Sequence, residues 1–304
     1  SASPLRPLAA HAFTVFDSNH TPNANIFVHT SDNPLVNEAA SELANFLHRM
    51  NGKPAHVQHT PSTDQVPSKP GVIVLGNLAA QLGLKLDRHS GAQDGFRYKV
   101  DNSRLLLVGE SPQGVLHGIY DLLERLGCGW FAPGDLGEVV PSLKTATLPD
   151  SLDHTGLSNS VNRRFWYGGK GNPDKSTQRW IVRNKAEYQQ GSWNHSWHGL
   201  VPPKQHFESH PELFSLNRGR RTTKQLCTTN PETVRIASAS LLERMRTENQ
   251  RIFAAGPNDG GNLCECPNCA RLDSPGYFEP TSGMPSCADR IFGFAGDLAT
   301  LTSK

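Results

Sequence analysis

The chain has 304 residues, 36% hydrophobic and 19% charged, with a formal net charge of +2. That length suffices for two domains with cores of their own, and no apolar run reaches the roughly 18 residues needed to span a bilayer. With 30 basic residues set against 28 acidic ones and no basic run, the balance speaks against nucleic acid as the main partner, because phosphate binding takes a clustered cationic face.

The opening Ser1-Ala2-Ser3-Pro4 has neither a charged n-region nor an apolar h-region, so an exported form would be one whose signal has been removed. Asn25 to His29 reads as a strand. Asn33 is placed to cap a helix with Pro34 at its first position. Leu35, Val36, Ala39, Ala40, Leu43, Phe46, Leu47 and Met50 then form one apolar stripe, which Asn51-Gly52 ends. Val72 to Leu75 is a short buried strand, and Gly95 to Val100 with Leu105 to Val108 reads as a hairpin. A second helix is expected from Pro112 to Leu126, with Gly127 past its end.

These elements predict a mixed sheet with helices on it over residues 25–141, after an N-terminal segment at 1–24. Residues 142–156, rich in Pro, Ser, Thr and Asp, are the expected linker. Beyond it, Arg163 to Tyr167 is strand-like, helices are expected near Thr177 to Gln189, Pro231 to Arg246 and Cys287 to Leu301, and Arg251 to Ala255 reads as a strand. Strand, polar loop and helix in repetition predict the N-terminal portion of a (β/α)8 TIM-type barrel over 157–304. The fold class is therefore α/β, a small mixed-sheet domain followed by part of a barrel.

Histidine and tryptophan gather between Trp166 and His210. In the run Gly191 to Gly199, an extended chain would put Trp193, His195 and Trp197 on one face. Indoles stack on sugar rings and neutral imidazoles bond hydroxyls, so these residues and His198 are candidates for a sugar site; the alternative is a loop folded back with its aromatics in the core. Asn258 and Asp259 follow an expected strand among glycines that let a ligand approach the backbone. Asp259 is suited to orienting a substrate or transferring a proton, or, as an alternative, to bonding its own turn.

Cys264, Cys266 and Cys269, with Cys287 further on, form a C-x-C-x2-C array. A disulfide-stapled loop is the favoured reading, with zinc bound by three thiolates or free buried thiols beside it. Cys128 and Cys227 read as small core residues or a disulfide partner. No cofactor and no metal are assigned.

Gly114-Val115-Leu116-His117-Gly118-Ile119-Tyr120-Asp121-Leu122-Leu123-Glu124, followed by Leu126-Gly127-Cys128-Gly129-Trp130-Phe131-Ala132-Pro133-Gly134, resembles the accessory domain that precedes the barrel in family 20 hexosaminidases and α-glucuronidases. His210 to Leu216, Gln225 to Pro231, Asn258-Asp259-Gly260 and Cys264 to Cys269 resemble a bacterial domain family of unknown function. That family includes the glycoside hydrolase family 163 endo-β-N-acetylglucosaminidases, which cleave N-glycans. The resemblance, covering about Asn25 to Lys304, implies a retaining, substrate-assisted mechanism in which a carboxylic acid protonates the leaving oxygen.

With roughly three strand-helix units against the eight of a closed barrel, the general acid is expected beyond Lys304, and Asp259 is the one catalytic candidate within the chain. The implied partner is a glycan or glycoprotein, and the implied location is extracytoplasmic. A non-catalytic carbohydrate-binding protein and a glycosidase for uronic-acid glycans are the alternatives.

Overall fold

The structure is a computed structural model that describes residues 12–19, 23–87, 89, 94–101, 103–160, 163, 174–186, 195–248, 252–278 and 285–303. Its contacts divide the chain into two compact units, Ser1–Gln189 and Gln190–Lys304.

The first unit runs β1 (Ala12–Asp17), β2 (Asn25–His29), α1 (Pro34–Asn51), β3 (His56–Thr60), β4 (Val72–Leu75), α2 (Gly76–Gln81), β5 (Phe96–Asp101), β6 (Arg104–Gly109) and α3 (Pro112–Arg125). The two-residue strands β7 (Gly129–Trp130) and β8 (Glu138–Val139), then β9 (Thr145–Pro149), β10 (Asp153–Gly156) and α4 (Lys175–Arg183), complete it. Six strands form one sheet in the order β10-β5-β6-β4-β2-β3. β6, β4, β2 and β3 are mutually parallel, whereas β5 and β10 join antiparallel, so the sheet is mixed as expected.

Helix α1 forms where the cap signals place it: the Asn33 side chain accepts from the Leu35 N–H, and Gly52 closes the end at φ 74°. Its stripe Val36, Ala39, Ala40, Leu43, Phe46, Leu47 and Met50 is buried. With α3 it covers the sheet face bearing Ile26, Val28, Ile73, Leu75, Leu105 and Leu107. The alternate residues Phe27, Val72, Val74, Leu106 and Val108 pack with Leu78 and Ala79 of α2 on the opposite face, the period-two division of a sheet covered on both sides. Gly114 lets α3 approach closely, since a Cβ there would stand 2.3 Å from the Gly95 carbonyl oxygen.

Two boundaries differ from expectation. The stretch read as a linker carries β9, which pairs antiparallel with β1, and β10, which adds an edge to the six-stranded sheet. The segment read as the barrel's start belongs with the first unit. The Trp180 indole of α4 donates to the Trp130 carbonyl at 3.0 Å, and Arg183 pairs with Glu42 at 3.1 Å and with Glu138. Helix α4 ends early because Lys185 takes the left-handed turn (φ 56°) that returns the Ala186 N–H to the Ile181 carbonyl. The strand expected at Arg163 to Tyr167 lies outside the described residues apart from Arg163.

The second unit contains α5 (Trp197–Leu200), α6 (Pro203–His206), β11 (Phe214–Asn217), β12 (Arg220–Leu226), α7 (Pro231–Thr247), α8 (Pro267–Ala270), β13 (Ser274–Phe278), β14 (Pro285–Ser286) and α9 (Ala288–Thr302). β11 and β12 form a hairpin across Arg218-Gly219, both at positive φ (49° and 76°), as a type I′ turn requires. The core joins Trp197, Leu200, Leu213, Phe214, Leu226, Ala237, Leu241, Phe294 and Leu298. Among the described residues the ladders of this unit are antiparallel pairs, and a parallel barrel is not shown. The strand expected at Arg251 to Ala255 forms no ladder over 252–255; it leads to a single parallel bridge between Gly256 and His195.

Candidate functional site

The segment 195–198 runs alongside 256–258 and is stitched to it residue by residue. The His195 Nδ1 lies 2.9 Å from the Pro257 carbonyl oxygen. Ser196 donates to the Gly256 carbonyl from both its N–H and its hydroxyl, each at 3.2 Å. The His198 N–H donates to Asn258 Oδ1 at 3.1 Å, and its ring Nε2 is 2.6 Å from the Thr223 carbonyl oxygen. A carbonyl only accepts, so the ring nitrogen facing it carries the proton. In the neutral ring this leaves Nε2 of His195 and Nδ1 of His198 as acceptors, and among the described residues nothing bonds either one. Both side chains are exposed.

Trp197 does not share that face. It begins α5 instead of continuing an extended run, so the period-two reading fails after His195. Its indole is fully buried, donates to the Ala255 carbonyl at 2.9 Å and meets Phe294 edge-on, with centroids 5.5 Å apart. That corrects its reading as a stacking platform: it is core. Trp193 lies outside the described residues.

The loop 256–261 hangs on Gln225, a buried residue to which the sequence reading gave no role. Its Oε1 accepts from the Asn258 N–H at 3.0 Å, while Nε2 faces the carbonyls of Asn258, Gly260 and Gly261 at 2.8, 3.1 and 3.3 Å. Asn258 Nδ2 donates to the Lys224 carbonyl at 2.9 Å. Both polar ends of Asn258 are therefore spent on holding the loop. Asp259 stands exposed at the tip, with Oδ1 accepting from the Gly260 N–H at 2.9 Å, the bond of a turn carboxylate.

The cysteines fall differently from the expected staple. All six are free, and Cys227, Cys264, Cys266 and Cys269 converge with their sulfurs within 4.8 Å of one another. Cys227 Sγ is 3.7 Å from Cys266 Sγ and 3.8 Å from Cys269 Sγ, far beyond the about 2.05 Å of a disulfide. Cys227, which the sequence offers as a core residue or a disulfide partner, reaches the cluster from the end of β12, distant in sequence. Cys287 stays apart, accepting from Arg290 Nη2 at 2.9 Å.

Residues 132–291, just over half of the chain, match the family model described as "Domain of unknown function (DUF4838)". The chain belongs to this family. The loop residues described above and Cys227, Cys264, Cys266, Cys269 and Cys287 all lie inside the DUF4838 match. Residues 15–122 match a second model, the glycosyl hydrolase family 67 N-terminus, so the DUF4838 region is preceded by a domain related to those of glycoside hydrolases. No curated protein matches the chain.

Two solved structures show weak similarity. One is a family GH115 4-O-methyl-α-glucuronidase with specificity for decorated arabinogalactans: 18% identity, 44% of this chain, 17% of that one, TM-score 0.33. The other is a GH138 enzyme targeting pectin rhamnogalacturonan II: 13% identity, 72% of this chain, 28% of that one, TM-score 0.31. The chain spans less than a third of either.

Proposed function

We propose that this DUF4838 chain is part of a glycoside hydrolase acting on β-linked N-acetylglucosamine in N-glycans, by a retaining, substrate-assisted route. The observation that carries the hydrolase reading is the match of residues 15–122 to a glycosidase N-terminal domain, in one chain with a DUF4838 region. The specificity rests on the resemblance of the 210–216, 225–231 and 258–269 motifs to endo-β-N-acetylglucosaminidases. In that reading the second unit is the first part of a (β/α)8 barrel, the site lies on its polar loops, and the protein works outside the cytoplasm.

His195, His198 and Asp259 are the groups that would meet the sugar. The imidazole nitrogens not engaged by backbone carbonyls and a carboxylate oxygen are acceptors, and sugar hydroxyls and an acetamido N–H are donors to match them. Asn258 acts behind them, as the residue that fixes the loop. The family 67 match also favours a second reading, a glycosidase for uronic-acid glycans.

The test is to incubate the full-length protein with a panel of N-glycoproteins and with glucuronic-acid-decorated polysaccharides, then analyse released sugars by mass spectrometry. Release of N-glycans cut within the chitobiose core is the expected result. Release of uronic acid alone would select the second reading. Binding without release would make the protein a carbohydrate-binding one and refute both.

A further inference from the structure

We propose that Cys227, Cys264, Cys266 and Cys269 bind one zinc ion as a tetrathiolate, and that the ion fastens the 256–266 loop to the β11–β12 hairpin. Four sulfurs from two separate stretches of chain meet in one buried spot, each cysteine no more than 8% exposed. The spacing fits a tetrahedral centre. With Zn–S bonds of about 2.3 Å, neighbouring sulfurs stand about 3.8 Å apart, and the Cys227 separations are 3.7 and 3.8 Å. An all-sulfur tetrahedral set suits zinc, and sulfurs this close enclose one ion and no multi-iron cluster.

The local backbone is built for the purpose. Cys266-Pro267-Asn268-Cys269 is a C-x2-C turn in which Cys266 caps the short helix α8 and its carbonyl accepts from the Ala270 N–H at 2.9 Å. Cys264 is presented by pairing with the hairpin, where the Glu265 N–H donates to the Leu216 carbonyl at 2.7 Å. Cys227 leaves β12 with its N–H on the Leu213 carbonyl at 2.8 Å.

The surroundings also suit thiolates. The Leu216 N–H points at Cys264 Sγ at 3.3 Å, the Thr229 hydroxyl is 3.2 Å from Cys269 Sγ, and Arg221 Nη1 is 3.9 Å from Cys264 Sγ. Such donors steady metal-bound sulfur from behind, and the Arg221 charge offsets part of the double negative charge that four thiolates leave around zinc.

This centre stands independently of the sugar reading. Its test is metal analysis of the purified protein under reducing conditions, followed by cobalt exchange. One equivalent of zinc that survives dialysis is expected. Replacement by cobalt should then give the thiolate charge-transfer and intense red d–d bands of a tetrahedral sulfur site.

Cys287→Ser should keep the full equivalent, and Cys227→Ser should lose it. Because the latter variant can fail for want of folding, a second measurement uses the wild-type chain. Zinc is stripped with a mercurial and a chelator, and hydrogen exchange is read by segment. Protection should fall at 213–230 and 256–270 while the six-stranded sheet keeps its own. Absence of bound metal in reduced, zinc-supplied protein would overturn the proposal. A mass about two daltons low per bridge, the mark of disulfides, would overturn it as well, as would one equivalent of iron in place of zinc.

Discussion

Replacing Gln225 by leucine removes the group that holds the 256–261 loop while keeping nearly the same volume. The native amide supplies one acceptor and two N–H donors to four backbone partners between 2.8 and 3.3 Å. Three bonds at about 1 kcal/mol net each give about 3 kcal/mol as the ceiling. Gly260 and Gly261 are exposed and can turn their carbonyls to water, so we expect Gln225→Leu to cost about 2 kcal/mol.

Gln225→Glu should cost more at neutral pH. The introduced carboxylate keeps the Asn258 N–H but turns its second oxygen toward three carbonyl oxygens, and a buried charge without a partner costs about 3–5 kcal/mol. That carboxyl would be harder to ionise in the fold than in the unfolded chain. Its penalty should therefore shrink as pH falls and the group protonates. The assay is urea unfolding followed by tryptophan fluorescence, run at neutral and mildly acidic pH beside hydrogen exchange at 256–261. If Gln225→Leu unfolds within about 0.5 kcal/mol of wild type with unchanged loop exchange, Gln225 does not hold the loop.

Two further outcomes follow from the structure. Burial alone would raise the Asp94 carboxyl, but hydrogen bonds from His117 and Arg163 outweigh it and bring the group from 3.8 to about 2. A depressed carboxyl stabilises above its unfolded value, so about 2 kcal/mol should be lost as pH falls from 4 toward 2, and Asp94→Asn should abolish that part of the acid limb in a pH series of unfolding curves. Trp197→Ala should cost about 3–5 kcal/mol in unfolding free energy, as large aromatic truncations in cores do. Unchanged stability with weakened glycan binding would return Trp197 to the sugar face.

Local signals suffice where an element carries its own start, stop and apolar face. Asn33, Pro34 and Gly52 bracket α1 to the residue, and β2 and β4 are apolar runs bounded by turn residues. β9 and β10 were invisible because their pairing is not local: Thr145-Ala146-Thr147-Leu148-Pro149 is a strand only because β1, far back in the chain, lies beside it. Trp197 departs from the expected face because an alternation argument holds only while the chain stays extended, and the chain turns helical there. His195, His198, Asn258 and Asp259 are candidates by residue type alone. Gln225 carries no such signal and Cys227 reads only as a core residue or disulfide partner, since the groups they meet are more than 30 residues away in sequence.

In the proposed function the 195–198 and 256–261 segments form the sugar-facing part of a glycan-cleaving enzyme. Its most direct test is kcat/KM for N-glycan release by the full-length protein and by His198→Ala, with unfolding stability measured on both. Loss of a hydrogen bond made mainly in the transition state should lower kcat/KM by about 10²–10³-fold, with stability changed by less than about 1 kcal/mol because the side chain is exposed. Unchanged kcat/KM in a folded His198→Ala protein would place the sugar elsewhere and refute the proposed site.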